Sequence, residues 1–284
     1  MKIVFRLRNK KCSDGSYVEQ LKKNKVPFAV YVLLRTIVFA VMIFSVFRGN
    51  YENVFSCLWV LFLLLLPAVI EKKFGLELPG ALEVIVMLFV FAALILGEMG
   101  NYYIKFPYWD AMLHTTNGFL SAAVGFGLVD ILNRNEKIKF TLSPLFLALV
   151  AFCFSMTIGI LWEFFEFACD VFLGMDMQND TLVRTFSSSM LSGNTMDLVV
   201  VDGIREVLVN GEVLTTGGYL DIGLYDTMMD LVVNFIGAVI FSVFGYFYVK
   251  YRGKHKFAMM FVPRLKKGKK SDGKKTDEEE CEGN

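Results

Sequence analysis

Six stretches of the chain run for about 20 positions with few polar residues, the length a helix needs to cross a hydrocarbon core of about 30 Å. They extend from about Pro27 to Phe47, Asn53 to Ile70, Leu78 to Gly97, Trp109 to Leu132, Leu142 to Leu173 and Tyr225 to Tyr251. A helix of a soluble bundle keeps one polar face along its length, and these mostly lack one. The pattern predicts an all-α polytopic membrane protein with six transmembrane helices. A basic cytoplasmic segment over 1–26 precedes the membrane domain over 27–251, and a charged, disordered cytoplasmic tail follows over 252–284.

One connection breaks the pattern. Between the fifth and sixth helices, residues 174–224 are mostly polar, yet Val207-Leu208-Val209-Asn210-Gly211-Glu212-Val213-Leu214 sets Asn-Gly between two β-prone runs. A type I′ turn needs positive φ at both central residues, so this is a hairpin signal. A short strand at Leu198–Val201 adds to it. The expected object is a small extracytoplasmic insert of two or three strands over the helix ends. Loops of this length are uncommon unless they have a function or are disordered.

Composition agrees with the pattern. Of 284 residues, 55% are hydrophobic and 28 are Phe, with a mean hydropathy of +0.50, which excludes a disordered chain or a disulfide scaffold. The net charge of +1 excludes nucleic acid as an evident partner, but it conceals a segregation. Twenty-four Lys and Arg lie before the first helix, after the sixth, and in the two connections on that side; only Arg48, Lys105, Arg184 and Arg205 lie opposite. The positive-inside rule then makes both termini cytoplasmic, which requires an even helix count. Some 26 mainly polar residues precede the first apolar run, so that run is expected to be an uncleaved anchor and not a signal peptide. The five cysteines show neither metal spacing nor a disulfide pattern. The Lys-rich tail, ending in Asp277-Glu278-Glu279-Glu280, reads as a topology determinant attracted to anionic lipid.

The candidate chemistry lies in residues that lipid would reject. The fourth helix opens with Asp110, His114 and Asn117, spaced four and three and so on one face. The fifth carries Glu163, Glu166 and Asp170 at three and four, with phenylalanines between. The sixth carries Asp226, Asp230 and Asn234 at four and four. All three stripes sit toward the outer side. Glu163 lies about 10 Å below Asp170 at 1.5 Å per residue, inside the hydrocarbon, where a charge costs about 2.5–3.5 kcal/mol. Too few outer cations exist to neutralise six carboxylates. Three remedies remain: a divalent metal held by His114, Glu163, Glu166, Asp226 and Asp230 with Asp110, Asn117, Asp170 and Asn234 in support; bound protons; or a water-filled pocket. Singly, Asp110 and Asp226 also suit the start of a helix as caps or dipole partners, and the whole set could serve as polar glue between helices. In the inner half, Arg35, Glu83 and Asp130 are placed to form an ion pair.

Tyr108-Trp109-Asp110 with His114 and Gly118, Trp162-Glu163 with Glu166 and Asp170, and Asp226-Thr227 with Asp230 and Gly237-Ala238 resemble the YjdF-like proteins of the bacterial inner membrane, over about 27–251. More loosely, they resemble the VanZ-like membrane domains, one of which is linked to glycopeptide-antibiotic resistance. The resemblance implies a multi-pass protein of the bacterial cytoplasmic membrane whose polar positions form a unit, but it implies no reaction. Three functions suit the residues. One is a metal site, structural or hydrolytic, acting on an envelope or lipid-linked ligand; the others are a proton-coupled transporter or channel-like protein, and a noncatalytic scaffold. No Ser or Cys nucleophile with a nearby base and no phosphate-binding Gly loop favours another chemistry.

Overall fold

A computed structural model of the chain describes residues 25–74, 76–133, 142–193, 196–251, 261 and 264–265. The predicted basic segment up to residue 24 and most of the predicted tail lie outside the described residues. The first apolar run is helix α1 (Lys25–Phe47). The second is interrupted: α2 (Tyr51–Leu63) gives way at Leu64-Leu65 to α3 (Leu66–Phe74). Pro67 explains the break, because proline has no amide to donate and fits only the first turn of a helix. The third run is α4 (Gly80–Phe91), which widens into a π-helical stretch over Ala92–Met99. A four-residue helix not foreseen from the pattern, α5 (Tyr102–Lys105), follows it. Then come α6 (Trp109–Asn133), α7 (Pro144–Leu173) and α8 (Leu224–Lys250). Helix α7 starts where Ser143 accepts from the Phe146 amide at 3.2 Å with Pro144 in the first turn, and it stops at Gly174, φ 64°. These are the expected start and stop signals.

By length and apolarity, five spans among the described residues can cross a membrane: Lys25–Phe47, Tyr51–Val69, Gly80–Met99, Pro144–Leu173 and Leu224–Lys250. The pattern predicted six. The difference is α6, which has the length at 25 residues but carries Asp110, His114, Thr115, Thr116, Asn117 and Asp130.

Burial is reversed relative to a soluble bundle. On α7, Glu163 and Glu166 are 4% and 7% exposed, whereas Phe164, Phe165 and Phe167 are 64%, 51% and 56% exposed. In water that arrangement would waste apolar surface and strand charge. In a bilayer the phenylalanines meet lipid and the acids are enclosed by protein. Two packed groups result. Helix α1 packs on α2 and α4 around Tyr31, Leu34, Val38, Val60 and Met87. Helices α6, α7 and α8 pack mutually, over a core that includes Phe126, Leu147 and Phe241.

The α6–α8 contact is close because glycine permits it. A Cβ on Gly118 would lie 2.1 Å from the Asn234 carbonyl oxygen, and one on Gly237 would lie 2.0 Å from that of Thr115. Backbone therefore meets backbone where any side chain would clash, the small-residue packing typical of membrane helices.

A short pair, β1 (Leu76–Glu77), lies ahead of α4. Among its described residues the insert holds six strands and not the two or three expected: β2 (Thr181–Val183), β3 (Phe186–Ser188), β4 (Val199–Val201), β5 (Glu206–Val209), β6 (Glu212–Thr216) and β7 (Tyr219–Asp221). Last, β8 (Arg264–Leu265) pairs with β1. Within the insert the ribbons are antiparallel pairs, β2 with β7, β3 with β4, and β5 with β6. The turn between β5 and β6 is Asn210-Gly211, with φ of 53° and 88°. The strand expected at Leu198–Val201 forms over Val199–Val201, but it pairs with β3 and not with the β5–β6 ribbon.

Candidate functional site: a buried imidazole among carboxylates

Helical periodicity brings the three acidic stripes together because α6, α7 and α8 turn their polar faces toward one another. His114, from α6, is the centre. Its Nε2 lies 3.6 Å from Asp110 Oδ1 and 3.9 Å from Asp230 Oδ2, and its Nδ1 lies 3.6 Å from Glu163 Oε1. Glu166 completes a second group, in which donor atoms of His114, Glu163 and Glu166 fall within 4.8 Å of one another, as do those of Asp110, His114 and Asp230. His114, Glu163, Glu166 and Asp230 are all at least nine-tenths buried; the Asp110 side chain is 25% exposed and opens the site outward.

The donors and acceptors do not balance. Both oxygens of Glu163 and Oδ2 of Asp230 are buried without a hydrogen bond. Among the described residues, no Lys or Arg forms an ion pair with any carboxylate of the site. Unpaired buried carboxylate oxygens are costly, so something must compensate. The donor set, one imidazole with oxygen ligands, suits Mn²⁺, Zn²⁺ or a similar ion. Bond lengths of about 2.0–2.2 Å put neighbouring ligand atoms about 3.0–3.6 Å apart. The imidazole–carboxylate separations of 3.6–3.9 Å lie at or just above that range and the other ligand atoms of each group lie within 4.8 Å of one another, so the residues fit a metal once the carboxylates draw in toward it.

Other predicted residues have different partners. Asp226 accepts from the Asn179 amide at 2.8 Å and from its side chain at 3.4 Å. Asp170 accepts from the amides of Met177 and Gln178 at 2.6 and 2.9 Å. These two carboxylates therefore tie the first residues of the insert to the ends of α7 and α8. Asp110, expected in support, groups directly with His114 and Asp230. Asn117 donates to Asn234 at 3.3 Å and accepts from Ser121 at 3.4 Å, a polar clasp one turn beneath His114. Gly159 leaves room for the Asn234 side chain. Arg35 donates to the Tyr31 hydroxyl at 2.7 Å and the Leu61 carbonyl at 3.4 Å and does not pair with Glu83 or Asp130, both of which are buried.

Two residues of the site were not anticipated. Trp162 donates its indole N–H to Glu166 Oε1 at 2.8 Å. That i, i+4 spacing was visible in the sequence. Tyr103 lies near the site: burial, then the charges of Asp110, Glu98, Glu166 and Asp230, push its phenol well above the usual tyrosine range. Its ring fills the space a side chain on Gly97 would take, 2.5 Å from that Cβ position. No periodicity could have revealed this, since it depends on the π-helical stretch and the turn into α5.

A family model described as "Predicted membrane protein (DUF2238)" matches residues 30–251. An uncharacterised protein of Thermotoga maritima is 30% identical over 107 residues, 38% of this chain and 53% of that protein. The chain thus spans about half the length of the curated relative it matches. No solved structure matches.

Proposed function

This chain belongs to the DUF2238 family of predicted membrane proteins, and from that premise we propose that it is a six-span protein binding a divalent metal in the outer half of its α6–α8 bundle. Helix α6 is the sixth crossing. Its polar residues face α7 and α8, so lipid meets little of them, and 25 residues reach about 37 Å. An even count puts both termini on the Lys- and Arg-rich side, the cytoplasm, and the β insert on the other. The likeness to YjdF-like and VanZ-like proteins supports treating the three stripes as one unit.

The observation that carries the reading is the buried His114 imidazole flanked by carboxylates on both nitrogens. One imidazole serves one metal through one nitrogen. Nε2, with Asp110 and Asp230, faces the more open side and would take the ion. Nδ1–H would then donate to Glu163, which fixes the ring as carboxylates do behind metal-bound histidines. Glu166, held by Trp162, lies beyond. The Asp110 side leaves room for water or an envelope-derived ligand, and a bound metal would supply Lewis acidity there.

Metal analysis of detergent-purified protein tests this, after loading with Mn²⁺ or Zn²⁺ and dialysis. Wild type retains about one equivalent; His114→Ala and Asp230→Asn retain none; Glu163→Gln binds roughly 10–100-fold more weakly. Wild type free of metal after loading, or variants indistinguishable from it, refutes the proposal.

A further inference from the structure

The insert contains a second feature, on residues separate from the carboxylate site. An open surface pocket of about 320 Å³ is lined by Arg184, Gly203, Ile204, Arg205 and Gly217. It forms where the three ribbons join, because three hydrogen bonds link them there. Ile204 N donates to Arg184 O at 3.0 Å, Gly217 N to Arg205 O at 2.6 Å, and Arg184 Nε to Gly217 O at 3.3 Å. Gly203 and Gly217 have positive φ, 66° and 95°, and no atom lies within 4 Å of where their Cβ would be, so the walls are open there.

The two arginines have no anionic partner, although the insert has an excess of acids. Asp202, adjacent in sequence to Gly203, accepts at Oδ1 from the Thr185 hydroxyl and the Gly203 amide and forms no ion pair with either arginine. Asp221 accepts from the Tyr225 amide. Neither Arg184 nor Arg205 forms an ion pair among the described residues, and Arg205 makes no side-chain hydrogen bond there. The insert contains no other Arg or Lys, and its two converge on one pocket. The amides of Gly203, Ile204 and Gly217 are already committed to intramolecular acceptors, so the guanidiniums are the charged donors left for an external group. Their planar forks match the paired oxygens of a phosphate.

We infer that this junction binds a phosphate oxyanion, carried either by a lipid headgroup or by a soluble phosphate compound. The inference does not depend on the metal site. The test is calorimetric titration of the full chain in detergent, with chelator present so that no metal in the α6–α8 bundle competes. Two probes separate the sources: inorganic pyrophosphate and the soluble phospholipid dihexanoyl phosphatidic acid. Saturable binding of either probe is expected, weakened roughly tenfold or more by Arg205→Gln with the unfolding temperature unchanged. Tighter binding of phosphatidic acid assigns the site to a headgroup; equal or tighter binding of pyrophosphate assigns it to a soluble ligand. Arg184→Lys, which keeps the charge, loses less than Arg184→Gln. Failure of both probes to saturate at millimolar concentration overturns the inference, as does undiminished binding in the R184Q/R205Q double variant.

Discussion

Replacing Gly237 with alanine probes the contact that brings the acidic faces together. The new Cβ would lie 2.0 Å from the Thr115 carbonyl oxygen and 2.9 Å from the Phe119 nitrogen, whereas carbon and oxygen tolerate about 3.2 Å. Because the obstacle is backbone, no rotamer relieves it, and α6 and α8 must separate by about 1 Å. Overpacking of this kind costs about 1–3 kcal/mol, which lowers the unfolding temperature by roughly 2–12 °C. The functional consequence should be larger. Thr115 is the neighbour of His114, and Asp230 lies two turns along α8 from Gly237, so the separation acts directly on the 3.9 Å approach of His114 to Asp230. Metal–ligand distances tolerate only about 0.2 Å, so one ligand is lost. The assay is thermal unfolding in detergent alongside metal retention, with Val232→Ala, on the exposed face of α8, as control. Gly237→Ala with wild-type stability and full metal binding would refute the close-packed arrangement.

Further outcomes follow from single contacts. Asn234→Leu removes the acceptor of Asn117 and crowds Gly159, and it should destabilise by about 1–3 kcal/mol in the same thermal assay. Asp170→Asn weakens the bonds from Met177 and Gln178, so hydrogen exchange at 175–180 should quicken while metal retention persists. Substituting Val for Gly211, φ 88°, strains the β5–β6 turn by about 1–2 kcal/mol, seen as faster proteolysis within 206–216. The Thr185 hydroxyl, with the Gly203 amide, holds Asp202 below the usual carboxylate range. Its contribution to the ribbon junction is therefore complete above about pH 4 and lost as pH falls through the folded-state value. Exchange of the 184–205 amides should accelerate there in wild type, and less so in Asp202→Asn.

Much of this was readable in one dimension because it depends on local periodicity. Helical spacing alone put Asp110 with His114, Glu163 with Glu166, and Asp226 with Asp230 on common faces, and the Asn-Gly pair gave the β5–β6 turn. What the spacing could not separate was which acids face the centre. Asp226 lies one turn from Asp230 on the same face and also accepts from the Asn179 amide and side chain, which depends on the path of the insert after Gly174. Tyr103 escaped for a similar reason. The π-helical stretch, Gly97 and α5 together aim its ring, and no single spacing encodes that. Helix α6 shows the reverse difficulty: the residues that form the site are the ones that make it less apolar than a membrane span.

His114 and carboxylates from separate helices are proposed to hold one metal ion. X-ray absorption at the metal edge of the Mn²⁺- or Zn²⁺-loaded protein tests it most directly. The expected spectrum shows a single imidazole nitrogen with carboxylate oxygens at about 2.0–2.2 Å, the imidazole signal vanishing in His114→Ala. A shell of water oxygens alone, or an imidazole signal that survives that substitution, would contradict it.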